Sequence, residues 1–385
     1  MTVDVENNKR KNGAVSLIIA MLEKYVSERM IVVFEQIAYT GFSLLVLAVT
    51  LYRYDPEVSA FNLGLVALLN FPVPFHAIQL GWRSEIEDSI WFGSGATQTV
   101  LLLMTITSML VFSYASSLPI NISTVILMIL GGVAAVWSNG IRWIFIKLGK
   151  FPMLACSSLA LLPMFLALEY LSPFPDSISI FASVVITKAC FTLILFWRAI
   201  AEKAMTLAGP FKGRSVDFIT AMLAFARFIR TNGVFTIVAI FSPNAAIAGR
   251  IVQQAISFCR VFQNPLANHT FFHQRTFFGA AIKIQILFGT VSAVIFLFAG
   301  LFLFGNINPV IGGLAVFCST LGFVGSFVLR YRESKGISVF VETTAAIVFL
   351  FTALFFADQD GFLIGIIISE CLLFVAGAMV AKLRR

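Results

Sequence analysis

The chain consists mainly of long apolar stretches that alternate with short polar ones. The apolar stretches are about 20 residues long, the length that an α-helix needs to cross the ~30 Å hydrocarbon layer of a membrane. Short turns rich in Pro, Asn, Asp and Gly separate them. The pattern predicts twelve spans, and therefore an all-α polytopic membrane protein, with the spans at 30–51, 60–81, 94–114, 121–143, 152–171, 178–198, 219–241, 245–268, 280–304, 309–330, 336–357 and 361–382.

The composition supports this class and limits the others. The chain is 59% hydrophobic and only 12% charged, whereas a soluble domain carries about 25% charged residues. The first apolar patch, at 14–22, is too short to span and ends in Glu23 and Lys24. We therefore expect an interfacial helix within a cytoplasmic N-terminal segment, 1–29. The five cysteines all lie within spans without paired spacing, which is typical of small packing residues.

The basic residues outside the spans predict the orientation. They are concentrated in the N-terminus, in the connections after spans 4, 6, 8 and 10, and in the tail, whereas the connections after the odd-numbered spans contain only Arg53. Under the positive-inside rule both termini are cytoplasmic, and we expect a multi-pass protein of the cytoplasmic (inner) membrane. The net charge of +8 then reflects topology and contact with anionic lipids, so no nucleic-acid partner is expected.

A polar connection at 199–218 divides the spans into two sets of six. An N-lobe at 30–198 and a C-lobe at 219–382 are predicted, followed by a short cytoplasmic tail, 383–385. After the first span of each lobe comes a helix-start signal, Asp55-Pro56 or Ser242-Pro243, since Asp or Ser can cap a helix and Pro fits its first position. Two six-helix lobes of like orientation around a central cavity are an architecture of transporters.

These turns, with the segments "FEQIAYTGFSLLVLAVTLYR" and "ARFIRTNGVFTIVAIFSPNAA", resemble the multidrug/oligosaccharidyl-lipid/polysaccharide flippase superfamily, and within it the branch that flips lipid-linked polysaccharide repeat units. The chain departs from the usual motif, because Ala60 and Ile247 stand where members often have Gly. The resemblance implies alternating access by two rocking bundles. The cargo would be an undecaprenyl-pyrophosphate-linked oligosaccharide, and spans 1, 2, 7 and 8 would line the cavity.

Ionisable residues inside the spans predict the charge of the cargo. Each costs about 2.5–3.5 kcal/mol on insertion scales, so such residues normally face water or a partner. Arg227 and Arg230, one turn apart in span 7, are expected at the floor of the cavity, where a diphosphate would bind; alternatively they pair with Glu342 or Glu370. The interior bases outnumber the acids by two, which favours an anionic cargo; the bases are Lys188, Arg227, Arg230, Arg250 and Arg260, and the acids are Glu35, Glu342 and Glu370.

Two polar stripes at helical spacing accompany these charges. Span 8 carries Arg250, Gln253, Gln254, Ser257, Asn264 and Asn268, with Arg260 one step round, and span 1 carries Glu35, Gln36, Tyr39, Thr40 and Ser43. Amides and hydroxyls can bind sugar hydroxyls while guanidinium groups bind phosphate; the alternative is contact between helices. The predicted substrate-binding residues are Arg227, Arg230, Arg250, Arg260, Lys188, Gln253, Gln254, Asn264, Glu35 and Tyr39.

An ion gradient could drive such a transporter. Glu342 and Glu370 with Asn232 could bind Na⁺ or share a proton, or the two acids could instead neutralise Arg227 and Arg230. No metal, cofactor or catalytic residue is expected, since no phosphate-binding Gly loop, nucleophile elbow or zinc spacing occurs. The chain is predicted to be a non-enzymatic, monomeric transporter that binds lipid-linked oligosaccharide and membrane lipids and works beside a polysaccharide polymerase and chain-length machinery.

Two other functions fit the span pattern. A membrane polysaccharide polymerase or ligase usually carries a long outer loop with catalytic residues, and every outer connection here is short. A multidrug exporter of the same superfamily would extrude cations and would need an acid-rich cavity, the opposite of the charge predicted here.

Overall fold

The structure is a computed structural model, which describes residues 28–81, 95–118, 120–147, 150–201, 218–273, 286–298, 307–332, 335–356 and 358–383. Within these ranges the chain is helical and contains no strand. The predicted interfacial helix at 14–22, most of the linker at 199–218 and the last two residues of the tail lie outside the described residues.

The N-lobe contains the six predicted spans in order. Its first, third, fourth, fifth and sixth spans are single helices, and its second span is divided in two. The helices are α1 (Glu28–Arg53), α2 (Pro56–Leu68), α3 (Pro72–Gly81), α4 (Gly95–Ala115), α5 (Ile122–Lys147), α6 (Phe151–Tyr170) and α7 (Ser179–Ala201).

The C-lobe begins with an interrupted helix and ends with three long ones. Span 7 is formed by α8 (Phe218–Phe228), a five-residue π-helical segment (Ile229–Gly233) and α9 (Val234–Phe241). The remaining helices are α10 (Pro243–His273), α11 (Ile286–Phe298), α12 (Pro309–Arg332), α13 (Lys335–Phe356) and α14 (Gln359–Leu383).

Ten segments in the described residues are long and apolar enough to cross a membrane. They correspond to spans 1 to 7 and 10 to 12 of the prediction. Span 8 is the 31-residue α10, whose charged and polar residues lower its hydropathy, and span 9 is described only over Ile286–Phe298. The chain is therefore a multi-pass α-helical membrane protein, as the hydrophobic pattern predicted.

The helix-start signals are confirmed at both predicted positions. Asp55 caps α2, because its Oδ1 accepts a hydrogen bond of 2.9 Å from the backbone N–H of Val58, and Pro56 is the first helical residue. In the C-lobe α10 begins at Pro243, and the carbonyl of Ser242 accepts from the N–H of Ala246 at 3.0 Å. Each signal therefore starts the second span of its lobe.

The lobes meet along the helices that begin each half. On the N-lobe side these are α1, α2 and α3, and on the C-lobe side α8, α9 and α10. Phe71, in the break between α2 and α3, packs edge-on against Phe228 of α8 with ring centroids 4.7 Å apart. Large apolar side chains such as these close the interface around the polar residues described below.

Candidate functional site

The two arginines of span 7 lie in ion pairs with the acids of the last two helices. Arg227 Nε is 3.1 Å from Glu342 Oε1, and Arg230 Nε is 3.2 Å from Glu342 Oε2. Arg230 Nη1 also donates to Glu370 Oε1, and the hydroxyl of Ser326 donates to Glu342 Oε1 at 2.8 Å. The pairing alternative is therefore the arrangement that the structure has, and it joins span 7 to α13 and α14.

The π-helical segment sets the direction of these side chains. It begins at Ile229, between Arg227 and Arg230, and ends at Gly233, so its wide turn contains Arg230 and Asn232. Single π turns inside α-helices occur often at functional sites. The sequence offers only a weak signal for it, since Gly233 within an apolar helix is the one local irregularity.

A cleft opens beside this cluster, within the C-lobe. We call it the C-lobe cleft. Arg260 reaches it from α10 and places its Nη2 3.4 Å from Glu370 Oε1, so that one carboxylate oxygen serves two guanidinium groups. The cleft is lined by Arg230, Thr231, Gln253, Ile256, Ser257, Arg260, Phe349, Ile366, Ser369 and Glu370.

A second cleft lies between the lobes. We call it the interlobe cleft. Lys188 of α7 and Arg250 of α10 line it from opposite sides, and each is at least 90% buried. The Nζ of Lys188 is 3.3 Å from Asn70 Oδ1, and Arg250 Nη1 is 3.3 Å from Asn232 Oδ1. Each cation is therefore held by a neutral amide oxygen.

Both amides come from irregular backbone. Asn70 lies in the break between α2 and α3, and Asn232 lies in the π-helical segment. A helix interruption thus presents an acceptor to the buried cation of the same lobe. Arg250 also donates to Gln253 Oε1 at 3.4 Å, and its guanidinium carbon is 5.3 Å from the ring centroid of Phe235.

Among the described residues the interlobe cleft has two cations and no carboxylate in its lining. Tyr39 and Gln254, both predicted as cargo-binding residues, contribute to it. The full lining is Tyr39, Phe42, Ser43, Val46, Leu63, Val66, Asn70, Val184, Lys188, Arg250 and Gln254. This cleft brings together polar residues from spans 1, 2, 6 and 8, and it has the positive charge that the sequence predicted.

Glu35 is paired with Arg142, which lies near the end of α5. Arg142 Nε and Nη2 donate to the two carboxylate oxygens of Glu35 at 3.0 and 3.1 Å, and the guanidinium of Arg142 lies 4.1 Å from the ring centroid of Tyr39. Glu35 is thereby neutralised within the N-lobe.

A second buried acid of the N-lobe, Glu169, was missed by the sequence analysis. It lies at the end of α6, is only 1% exposed, and accepts hydrogen bonds from Arg53 at 3.1 Å, Tyr54 at 2.6 Å and Ser183 at 2.8 Å. Burial, together with the hydrogen bond to Glu169, raises the pKa of Tyr54 above its ordinary value. Glu169 lies two residues before the end of the predicted span 5, 152–171, and it was not counted among the interior acids.

The predicted coupling residues do not form one site. Asn232 contacts Arg250 and Thr231, whereas Glu342 and Glu370 contact guanidinium groups. Across the described residues no group of three or more His, Cys, Asp or Glu could hold a metal ion. Asn264 lies on α10, but its side chain is outside the described residues.

The comparison with known proteins shows the fold of this chain but no relative in sequence. The sequence matches no protein-family model and no curated protein. Among solved structures, the outward-facing conformation of a multidrug resistance MATE family transporter of the MOP superfamily matches with a TM-score of 0.50 and 11% identity, covering 97% of this chain and 98% of that one.

Two further transporters match at lower TM-scores. The eukaryotic MATE transporter AtDTX14 gives 0.49 at 13% identity, covering 95% of this chain and 96% of that one. The Vibrio cholerae MATE transporter VcmN in its bent form gives 0.43 at 10% identity, covering 96% and 98%. The first of the three likenesses, which extends over nearly the whole of both chains, shows that this chain has the fold of that MATE transporter.

Proposed function

We propose that this chain is an alternating-access transporter that flips a polyprenyl-pyrophosphate-linked oligosaccharide across the cytoplasmic membrane for cell-surface polysaccharide synthesis. The observation that carries the proposal is the charge of the interlobe cleft. Lys188 and Arg250 face it from different lobes and are held by amides, and among the described residues its lining contains no acid. A pyrophosphate would give both cations the anionic partner that such buried groups require.

The position of this cleft suits alternating access. Its lining comes from α1, α2 and α7 of the N-lobe and from α10 of the C-lobe, so a cargo bound there would contact both lobes. A rocking movement of one lobe against the other would then change the access to the same two cations. The amides and hydroxyls of Asn70, Gln254 and Ser43 are suited to the first sugar of the cargo.

The charge also separates this function from drug export. The fold is that of a multidrug resistance transporter, and a cationic drug would be repelled by Lys188 and Arg250. A polysaccharide polymerase is disfavoured for a different reason. It needs catalytic groups, whereas Lys188 and Arg250 in the interlobe cleft are hydrogen-bonded to neutral amides. We therefore propose that the chain is a monomeric, non-enzymatic transporter. Its proposed partners are a polysaccharide polymerase and chain-length machinery.

The predicted orientation is part of the same proposal. Arg53 is the one basic residue in the predicted outer connections, and it pairs with Glu169 at 3.1 Å. The exception to the positive-inside pattern is thus neutralised, which supports an inner-membrane protein with cytoplasmic termini.

The test is binding and flipping by the purified full chain in liposomes. A fluorescent polyprenyl-pyrophosphate oligosaccharide serves as the probe, and K188Q/R250Q is compared with K382Q, which removes an exposed cation at the end of α14. Loss of two charge-assisted hydrogen bonds, about 1.5–3 kcal/mol each, should weaken binding by more than tenfold in the double variant alone. Equal affinity of both variants would refute the proposal, and transport of ethidium in place of the lipid would favour drug export.

A further inference from the structure

We propose that the C-lobe cleft is an oxyanion site, which binds a phosphate or carboxylate group between Arg260 and Gln253. This site is separate from the interlobe cleft and does not depend on the cargo proposed above. It also reverses the sign of the ion predicted for this region, because a coupling cation would have to approach guanidinium groups.

The charge balance of the cluster favours an anion. Arg230 and Arg260 share one oxygen of Glu370, its Oε1, and this contact is the one ion pair of Arg260 among the described residues. A buried cation without a full counter-charge is costly. One further negative charge, placed in the adjacent cleft, would balance Arg260.

The longest ion pair in the cluster belongs to its most exposed arginine, Arg260. Arg260 contacts Glu370 only through Nη2, at 3.4 Å, and shares that oxygen with Arg230. Its Nε has no hydrogen-bond partner among the described residues, although the atom is buried. The side chain of Arg260 is 25% exposed, so an ion in the cleft can reach it.

The neighbouring amide provides a second donor. Gln253 Oε1 accepts from Arg250 Nη1, which turns the amide nitrogen of Gln253 away from Arg250 and leaves it available to the C-lobe cleft that the residue lines. An N–H of Arg260 and an N–H of Gln253 can then bind two oxygens of the same phosphate or carboxylate group.

The carboxylate of Glu370 is poorly placed to bind a cation in this cleft. Its Oε1 already accepts from Arg230 and lies near Arg260, and its Oε2 lies against Gly322 of α12, which is not part of the lining. The hydroxyls of Ser257 and Ser369 donate to main-chain carbonyls at 2.8 and 2.9 Å. Those oxygens are acceptors, but the two guanidinium groups beside them would repel a cation.

The experiment measures ligand-induced stabilisation, since a ligand that binds only the folded protein raises its unfolding temperature. The purified full chain in detergent is titrated with inorganic phosphate and with acetate at constant ionic strength, and separately with NaCl replacing KCl. We expect a concentration-dependent rise with both oxyanions in the wild-type protein and in K188Q, since Lys188 lines the interlobe cleft and contacts Asn70. We expect at least a tenfold weaker response in R260Q and in Q253L, the latter of which keeps every charge.

The outcomes distinguish this site from the interlobe cleft. A response lost in K188Q and kept in R260Q would overturn the inference and assign the anion to the interlobe cleft. Stabilisation by Na⁺ over K⁺, with no response to phosphate, would overturn it in favour of a cation site. If R260Q does not fold, an unchanged phosphate response in Q253L and R260K would overturn it as well, because R260K removes the Nε donor.

Discussion

The two lobes bury acids in different ways. In the N-lobe each acid has its own basic partner, Glu35 with Arg142 and Glu169 with Arg53. In the C-lobe Glu342 and Glu370 share three arginines in one continuous cluster, which includes Arg230 as the member that touches both acids. Each N-lobe pair is neutral by itself, whereas in the C-lobe Arg230 and Arg260 share one oxygen of Glu370.

The lobes are alike in how they hold the cations of the interlobe cleft. Lys188 is held by Asn70 from a helix break, and Arg250 by Asn232 from a π-helical segment. A helix break in one lobe and a π-helical segment in the other thus both place an amide oxygen beside a buried cation. Under the proposed function, the ion pairs stabilise each lobe and the amide-held cations bind the anionic cargo.

The largest effect is expected from breaking the shared cluster. Glu342→Gln would leave two buried guanidinium groups without this carboxylate, and loss of one partner of a buried pair costs about 3–5 kcal/mol. Glu35→Gln is the matched N-lobe change, and it should cost less, because only Arg142 depends on that acid and its side chain is 14% exposed. The free energy of unfolding in detergent measures both. Equal losses of unfolding free energy in the two variants would show that sharing one acid between two arginines adds no stability.

A smaller effect is expected where a glycine makes room for the cluster. A Cβ added at Gly322 would overlap the Oε2 atom of Glu370. Gly322→Ala should therefore destabilise the C-lobe by about 1–3 kcal/mol, as overpacking does, and should weaken the phosphate response by moving Glu370. The same unfolding and titration measurements check it, and a neutral result would mean that α12 and α14 separate easily.

The smallest effect is expected at Gly41, the N-lobe control for that change. A Cβ at this position in α1 would meet no atom within 4 Å. Gly41→Ala should stabilise the protein slightly, by about 0.5–1 kcal/mol, because Ala is the better helix former. Unfolding measurements would contradict this if the variant lost stability, which would imply an unseen contact of α1.

The sequence predicted the helices better than the partners of their charges. Ten of the twelve span positions and the helix starts at Asp55-Pro56 and Ser242-Pro243 follow from local chemistry, and the structure confirms them in the described residues. The pairs Glu35–Arg142 and Arg53–Glu169 join residues more than 100 positions apart. No periodicity within one helix indicates which distant helix will lie beside it.

For the candidate site too, the sequence indicated the residues better than their contacts. Lys188, Arg250, Gln254 and Tyr39 were selected from the sequence, and they line one cleft. Arg227 and Arg230 were expected to face the cargo, and they lie in ion pairs with Glu342 and Glu370; their contact with cargo stays a prediction. Side-chain type indicated that these residues need partners, but only packing determined which partners they have.

The sequence by itself determined that this chain crosses a membrane many times, that it has two similarly started halves, and that its interior is positive. These properties depend on how each residue interacts with lipid, with water and with its neighbours along one helix, which are local quantities. The tertiary structure decided which cations are neutralised and which remain facing a cleft. That outcome depends on the order in which helices pack, because electrostatic energy in a buried site is set by distances of a few ångströms between segments far apart in the chain.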